Sequence, residues 1–189
     1  GKPVIVGGSA TGRGVVASAS YEARKFGIHS AMPTARAQRL CPNLIVVHGS
    51  HGEYGRISKK IYERMCELAP IVERASIDEM NMDFTGCENL YHNDLPGFMK
   101  TIQKLVLDEF KLPCTIGLAS NKTVAKIAVN QVKPAGIVFI PHGTEAAYLA
   151  PLDIGVIPGV GKKTEEYLRE KGFHKVSDIQ QRTEKEILD

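Results

Sequence analysis

No apolar run in this 189-residue chain approaches the length of a membrane span, so the sequence excludes a helical membrane protein and predicts a soluble one. The four cysteines, Cys41, Cys66, Cys87 and Cys114, are scattered and form no CxxC pair. That excludes the common zinc-ribbon spacing and predicts reduced, mostly buried thiols in a cytoplasmic chain. His48 and His51 have a spacing that suits a metal, but no paired ligand motif accompanies them, and a zinc site there is disfavoured. Charge of one sign is also scarce. Lys plus Arg number 24 against 21 Asp plus Glu, a formal net charge of +3, which establishes no nucleic-acid partner and leaves local basic patches to do so. No secretory leader, tandem repeat or low-complexity segment is visible, and because the first residue is Gly1 the natural start is expected upstream.

What is present is 43% hydrophobic, enough for one sizeable core or two small ones. "KPVIVGG" (2–8) reads as a short buried strand and "GVVASAS" (14–20) as its hairpin partner. The link "GGSATGRG" lacks the Lys-Ser/Thr ending of a phosphate loop and precedes a strand, so it reads as a flexible turn. Residues 21–40 are helical and basic, with Pro33 opening a second helix. Ile57, Ile61, Met65 and Leu68 recur at helical spacing over 52–70. Next come an acid-bearing strand, a helix over roughly 94–110 with Phe98, Ile102, Leu105, Val106 and Phe110 inward, and a strand at 113–120. A helix at 121–133 and a strand at 136–140 follow. The alternation predicts an α/β fold with an open sheet. After Leu152 the texture changes to short helices joined by a glycine hairpin.

Four groups carry candidate chemistry. "ASIDEMNMDF" (75–84) sets Asp78 and Glu79 among residues that suit a core. Either the strand crosses from core to solvent and the acids mark its rim, or the pair holds Mg²⁺, whose hard character suits carboxylate oxygens. In a regular strand the two side chains leave opposite faces, so sharing a metal cluster needs a strand end or a twist. Tyr21 and Arg24, three apart, present a hydroxyl and a guanidinium fork suited to phosphate, or belong to an ordinary surface helix. Lys133, before Pro134, is a phosphate-seeking charge or a helix-end residue. "LDIGVIPGVGKKTEEYLREKGF" (152–173) is the most specific pattern. Gly159 and Gly161 permit a tight turn, and the amides opening the next helix, with Lys162 and Lys163, face an anion. This is the logic of a helix-hairpin-helix on DNA phosphates.

With these pieces in order, the chain resembles the Y-family (translesion) DNA polymerases over essentially its whole length. The motifs "GVVASASYEARKFGIHSAMPTARAQRLCPN", "ASIDEMNMDFTG", "TIGLASNKTVAKIAVNQVKPAG" and "IPGVGKKT" occur in that family's order. The resemblance implies an α/β palm with packed helices, a fingers region over 1–50, the palm over 51–140 and a helical thumb over 141–189. It implies two Mg²⁺ ions, with Asp78 bridging them and Glu79 ligating the one that activates the primer 3′-hydroxyl. Tyr21, Arg24 and Lys133 would bind the deoxynucleoside triphosphate, and Gly159, Gly161, Lys162 and Lys163 the primer-template DNA.

The family pattern begins with a strand carrying another metal-binding Asp and a neighbouring aromatic residue, neither of which precedes "GKPVIVGG" here. It continues past the thumb into a further DNA-gripping domain and a sliding-clamp motif. The chain is therefore expected to be a fragment, inactive alone. Two rival readings are a nucleotidyl cyclase-like palm, which leaves the helix-hairpin-helix unexplained, and a catalytically silent DNA-binding relative.

Overall fold

The computed structural model describes residues 1–92 and 94–188. The chain divides into two compact units, Gly1–Ile57 and Ser58–Asp189.

The first unit is built on a three-stranded sheet in the order β2-β1-β3. β1 (Val4–Gly7) pairs antiparallel with β2 (Val16–Ala19), and β3 (Ile45–Val47) lies parallel to β1 on its other edge. The hairpin follows the sequence reading, but its link is not merely flexible. A Cβ on Gly14 would stand 2.3 Å from the Ser9 carbonyl oxygen, and one on Gly8 would stand 2.9 Å from the Gly14 Cα. Two backbone stretches touch there, and only glycine allows the approach. The helical stretch at 21–40 resolves into two short helices, α1 (Tyr21–Arg24) and α2 (Thr34–Leu40). Between them Ile28 and Met32 turn inward to join Ile5, Val16, Ala23 and Ala37 in the core. Pro33 sits at the N-cap of α2, where its missing N–H costs nothing.

α3 (His51–Cys66) spans the division between the units. In the second unit β4 (Ile71–Arg74) and β5 (Met80–Asp83) form an antiparallel pair. β6 (Ile116–Leu118) and β7 (Ile137–Phe139) form a parallel pair. The crossover between β6 and β7 is α5 (Lys122–Gln131), capped by the Asn121 side chain on the Val124 amide at 2.9 Å. The α/β class stands, although among the described residues the strands of this unit make two separate pairs instead of one open sheet.

Both pairs lean on α4 (Leu95–Phe110). Its start is fixed by Asp94, whose side chain accepts from the Gly97 amide at 2.9 Å. Its inward residues Met99, Ile102 and Val106 are buried, spaced as one helix face demands. Met80 and Met82 of β5 and Ile116 and Ile137 of the parallel pair pack against that cluster. Phe84, Tyr91 and Phe98 close one end, with ring centroids 4.1–5.9 Å apart. The Tyr91 hydroxyl donates to the Leu68 carbonyl at 2.8 Å, so the polar end of the ring is satisfied.

The unit ends in α6 (Glu145–Leu149), α7 (Lys162–Glu170), α8 (Val176–Gln180) and α9 (Glu184–Leu188). The thiols depart from expectation: all four are free, but Cys41 alone is buried and Cys66 is exposed. No helix among the described residues is long and apolar enough to cross a membrane.

Ile102 is 3% exposed at the centre of the α4 cluster, whereas Leu90 is 74% exposed. Ile102→Ala is expected to cost about 2–5 kcal/mol of stability and Leu90→Ala less than about 0.5 kcal/mol, read by urea unfolding followed by circular dichroism.

Candidate active site

Asp78 and Glu79 lie in the connection between β4 and β5, not within a strand. The amides of Ala75 and Ser76 both donate to the Glu79 carbonyl, at 3.0 and 3.1 Å, so that carbonyl closes the turn instead of joining the ladder. Strand pairing resumes one residue later, with Met80 opposite Arg74. The strand reading of 75–84 is thus corrected at its first half, and the opposite-face problem for adjacent strand residues no longer applies. Ile77, read as apolar filling, is 49% exposed, while Met80, Met82 and Phe84 do join the core.

The two acids are held differently. The Ser76 hydroxyl donates to Asp78 Oδ1 at 2.7 Å, and the Asp78 amide donates back to the Ser76 hydroxyl at 3.3 Å. Asp78 is exposed, its carboxylate oriented by its own turn. Glu79 is half-buried and ion-paired with the Lys126 ammonium. One helical turn earlier Lys122 pairs with Glu73 of β4. Lys122 and Lys126 share a face of α5, so that face is laid over the carboxylates of the β4–β5 hairpin. Neither lysine stood out in sequence, although their i,i+4 spacing in "NKTVAK" was a usable signal. At the far end of β5, the Thr85 side chain and amide, aided by Lys122, hold the Asp83 carboxyl below its usual range.

Lys133 lies in the exposed turn after α5 and, among the described residues, hydrogen-bonds to neither acid. In the first unit, Ser20 caps α1 through the Ala23 amide at 3.2 Å, which starts the helix that carries Tyr21 and Arg24. The Arg24 guanidinium sits 5.4 Å from the Tyr21 ring centroid, while its Nε donates to the Ala19 carbonyl at 3.0 Å. The structure therefore brings these two together and leaves both exposed. The His48–His51 pairing lies outside the described side chains. No cluster of three or more His, Cys, Asp or Glu suited to a metal occurs among the described residues.

The glycine hairpin joins a short 3-10 turn (Ile154–Val156) to α7. Gly159 has φ +94°, a left-handed conformation that favours glycine. Gly161 occupies the N-cap of α7 and supplies no side-chain cap, so the first amides of that helix face outward beside exposed Lys162 and Lys163. The hairpin is braced from behind. Arg169 of α7 reaches both carboxylate oxygens of Asp153, at 2.6 and 2.7 Å, and Glu165 Oε1 at 3.0 Å. Ile154, fully buried, anchors the other arm, and its amide donates to the His174 carbonyl at 2.9 Å.

These features define an α/β protein in which a carboxylate-tipped strand hairpin is followed along the chain by a helix-hairpin-helix. The impB/mucB/samB family model matches residues 1–130, and the model of the IMS family HHH motif matches residues 142–173. The chain belongs to that family, in agreement with the Y-family resemblance of its motifs. It is 45% identical over 173 residues to DNA polymerase IV of Dehalococcoides mccartyi, covering 92% of this chain and 44% of the relative. DNA polymerase IV of Staphylococcus aureus is 40% identical over 190 residues, covering 100% of this chain and 52% of the relative. The crystal structure of DinB from Sulfolobus solfataricus superposes with a TM-score of 0.90 at 34% identity, covering 99% of this chain and 55% of that one. The insertion ternary complex of Dbh DNA polymerase gives 0.87 at 34% identity, with the same coverage of 99% and 55%. The chain thus spans about half the length of the curated relatives it matches.

The brace behind the hairpin titrates. The Arg169 guanidinium, then the Gly155 amide, hold the Asp153 carboxyl below its ordinary value. A depressed folded-state value means that the stabilisation is fully present above the unfolded carboxylate value of about 4 and is lost as pH falls through the lower folded value. Asp153→Asn should therefore lower the melting temperature at neutral pH, with the gap to the parent chain closing as pH drops below that range. Thermal melts across a pH series measure it.

Proposed function

We propose that this chain carries the catalytic palm, fingers region and helix-hairpin-helix of a translesion-type DNA polymerase, which adds deoxynucleotides to a primer 3′-hydroxyl. The observation that carries the reading is the acid pair at the tip of the β4–β5 hairpin, in a family member whose thumb segment holds an outward-facing glycine hairpin. The same family membership argues against a nucleotidyl cyclase.

The donor set fits divalent magnesium. Asp78 and Glu79 offer hard carboxylate oxygens at an accessible tip, and Mg²⁺ commonly takes one or two protein carboxylates with substrate phosphates completing its shell. Bound ions would supply Lewis-acid activation of the primer hydroxyl and charge stabilisation of the departing pyrophosphate. The rest falls to the chain itself. The Ser76 hydroxyl keeps the Asp78 carboxylate turned to its station. Arg24, prevented from collapsing by its bond to the Ala19 carbonyl and its stacking on Tyr21, would present its remaining guanidinium donors to the triphosphate beside the Tyr21 hydroxyl. Lys133 would add a point charge. Gly159 and Gly161 would let the amides opening α7, with Lys162 and Lys163, meet primer-template phosphates without reading bases. Such a polymerase would work in DNA damage tolerance in the cytoplasm, and a sliding clamp would engage a region beyond these residues.

Placed in the full-length context of its relatives, Asp78→Asn or Glu79→Gln should lower primer extension at least about a hundredfold, since each tenfold is about 1.4 kcal/mol and metal stabilisation supplies several. Extension near the parent rate would identify different catalytic acids. Arg24→Ala should raise the nucleotide KM with DNA affinity little changed, whereas a loss of DNA affinity would move Arg24 to the DNA surface. For the hairpin, Lys162→Ala and Lys163→Ala should each reduce the salt slope of DNA binding by about one, read by fluorescence anisotropy across a salt series. Unchanged slopes would place the DNA elsewhere, and normal DNA binding with no extension would favour a catalytically silent relative.

A further inference from the structure

The two acids differ in what holds them, and the difference has a chemical consequence. Asp78 is oriented by a neutral hydroxyl from its own turn. Glu79 is held by a cation delivered from a separate element, Lys126 on α5. The two side chains are 42% and 37% exposed, so the pair is reachable by solvent and by ions. An ammonium is a compact charge on a flexible stem that can swing into water without breaking any packing. A divalent ion at Glu79 competes for the same carboxylate lone pairs and repels the ammonium beside it.

We infer that Lys126 is a positioning residue for the acid pair, an internal cation that holds Glu79 in place before a divalent ion arrives and is displaced when one binds. The inference rests on the reading of Glu79 as a metal ligand. A second ion pair provides a control within the molecule. Lys122 and Glu73 repeat the same chemistry one helical turn away, with 65% and 54% exposure, but Glu73 is not one of the two acids assigned to metal. If the lysines only strap α5 to the hairpin, removing either should act alike. If Lys126 is a displaceable cation, its loss alone should change how the site takes an ion.

The test is a Mn²⁺ titration of the 189-residue chain, with free ion read by electron paramagnetic resonance and folding checked by thermal melts. Lys126→Met should tighten Mn²⁺ binding about threefold to fivefold, the range an exposed ion pair supports, and the gain should shrink at high salt. Lys126→Gln, which keeps a hydrogen-bond donor but no charge, should tighten it in the same direction and guards against a defect peculiar to the first variant. Lys122→Met should leave the affinity unchanged, and Glu79→Gln should weaken it. Unchanged or weaker binding in both Lys126 variants, with Glu79→Gln impaired, would overturn the role of Lys126 and leave Glu79 as a ligand. Equal tightening by Lys122→Met would reduce the effect to net charge and also overturn it. Unimpaired binding in Glu79→Gln would remove the ligand reading itself, and the role of Lys126 with it.

Discussion

Burial of the inner face of α4 decides where the second unit puts its charges. A two-stranded pair is marginal in water by itself, and this unit has two of them. Each gains a hydrophobic face by packing on Met99, Ile102 and Val106. Because β6 and β7 run parallel, their connection must cross over, and the crossover is α5. With both pairs seated on one helix, α5 is brought beside the hairpin, and Lys122 and Lys126 come within reach of Glu73 and Glu79. The electrostatic arrangement is therefore a consequence of apolar packing.

Magnitudes support that order of causes. Fully burying a large aliphatic side chain contributes about 1.5–3 kcal/mol, and α4 buries several. An exposed ion pair contributes about 0–1 kcal/mol. The lysine–glutamate pairs are thus too weak to assemble the unit, yet strong enough to select among side-chain orientations once it is assembled. That is the regime in which an ion can be exchanged for a side-chain cation without cost to the fold. A buried pair would behave differently, since breaking it leaves an uncompensated charge away from water.

The parts of the fold legible in sequence are those where a single periodicity dominates. The inward face of α4, the hairpin of β1 and β2 and the crossover helix α5 all followed from spacing and end signals. β3 and β4 did not, because Ile45–Val47 and Ile71–Arg74 are too short to show alternation and each follows a helical stretch whose periodicity dominates the local pattern. The acid pair was recognisable by residue type but set too deep, since nothing local indicates that the Glu79 carbonyl will be taken by two turn amides. The partnership of Glu79 with Lys126 was illegible for a plainer reason. It joins residues 47 apart, and only the seating of both strand pairs on α4 brings them together.

 The helix-hairpin-helix shows how structure sorts charges that a sequence can only count. Residues 152–173 hold four cations, Lys162, Lys163, Arg169 and Lys171, and none precedes α7, so basic composition alone puts them all on the second arm. Arg169 is committed inward, to Asp153 and Glu165, and Lys171 lies over the Tyr167 ring at 5.6 Å. Lys162 and Lys163 remain at the open end of α7, beside amides that Gly161 leaves without a side-chain cap. The positive end of the helix dipole adds to those two charges and opposes none of them. An anion approaching this end meets backbone donors and lysines together, while the arginine with the best geometry for phosphate serves to keep the two arms of the hairpin at a fixed angle. If the hairpin meets DNA as proposed, replacing Arg169 would act through the shape of the hairpin, and replacing Lys162 or Lys163 would act through charge.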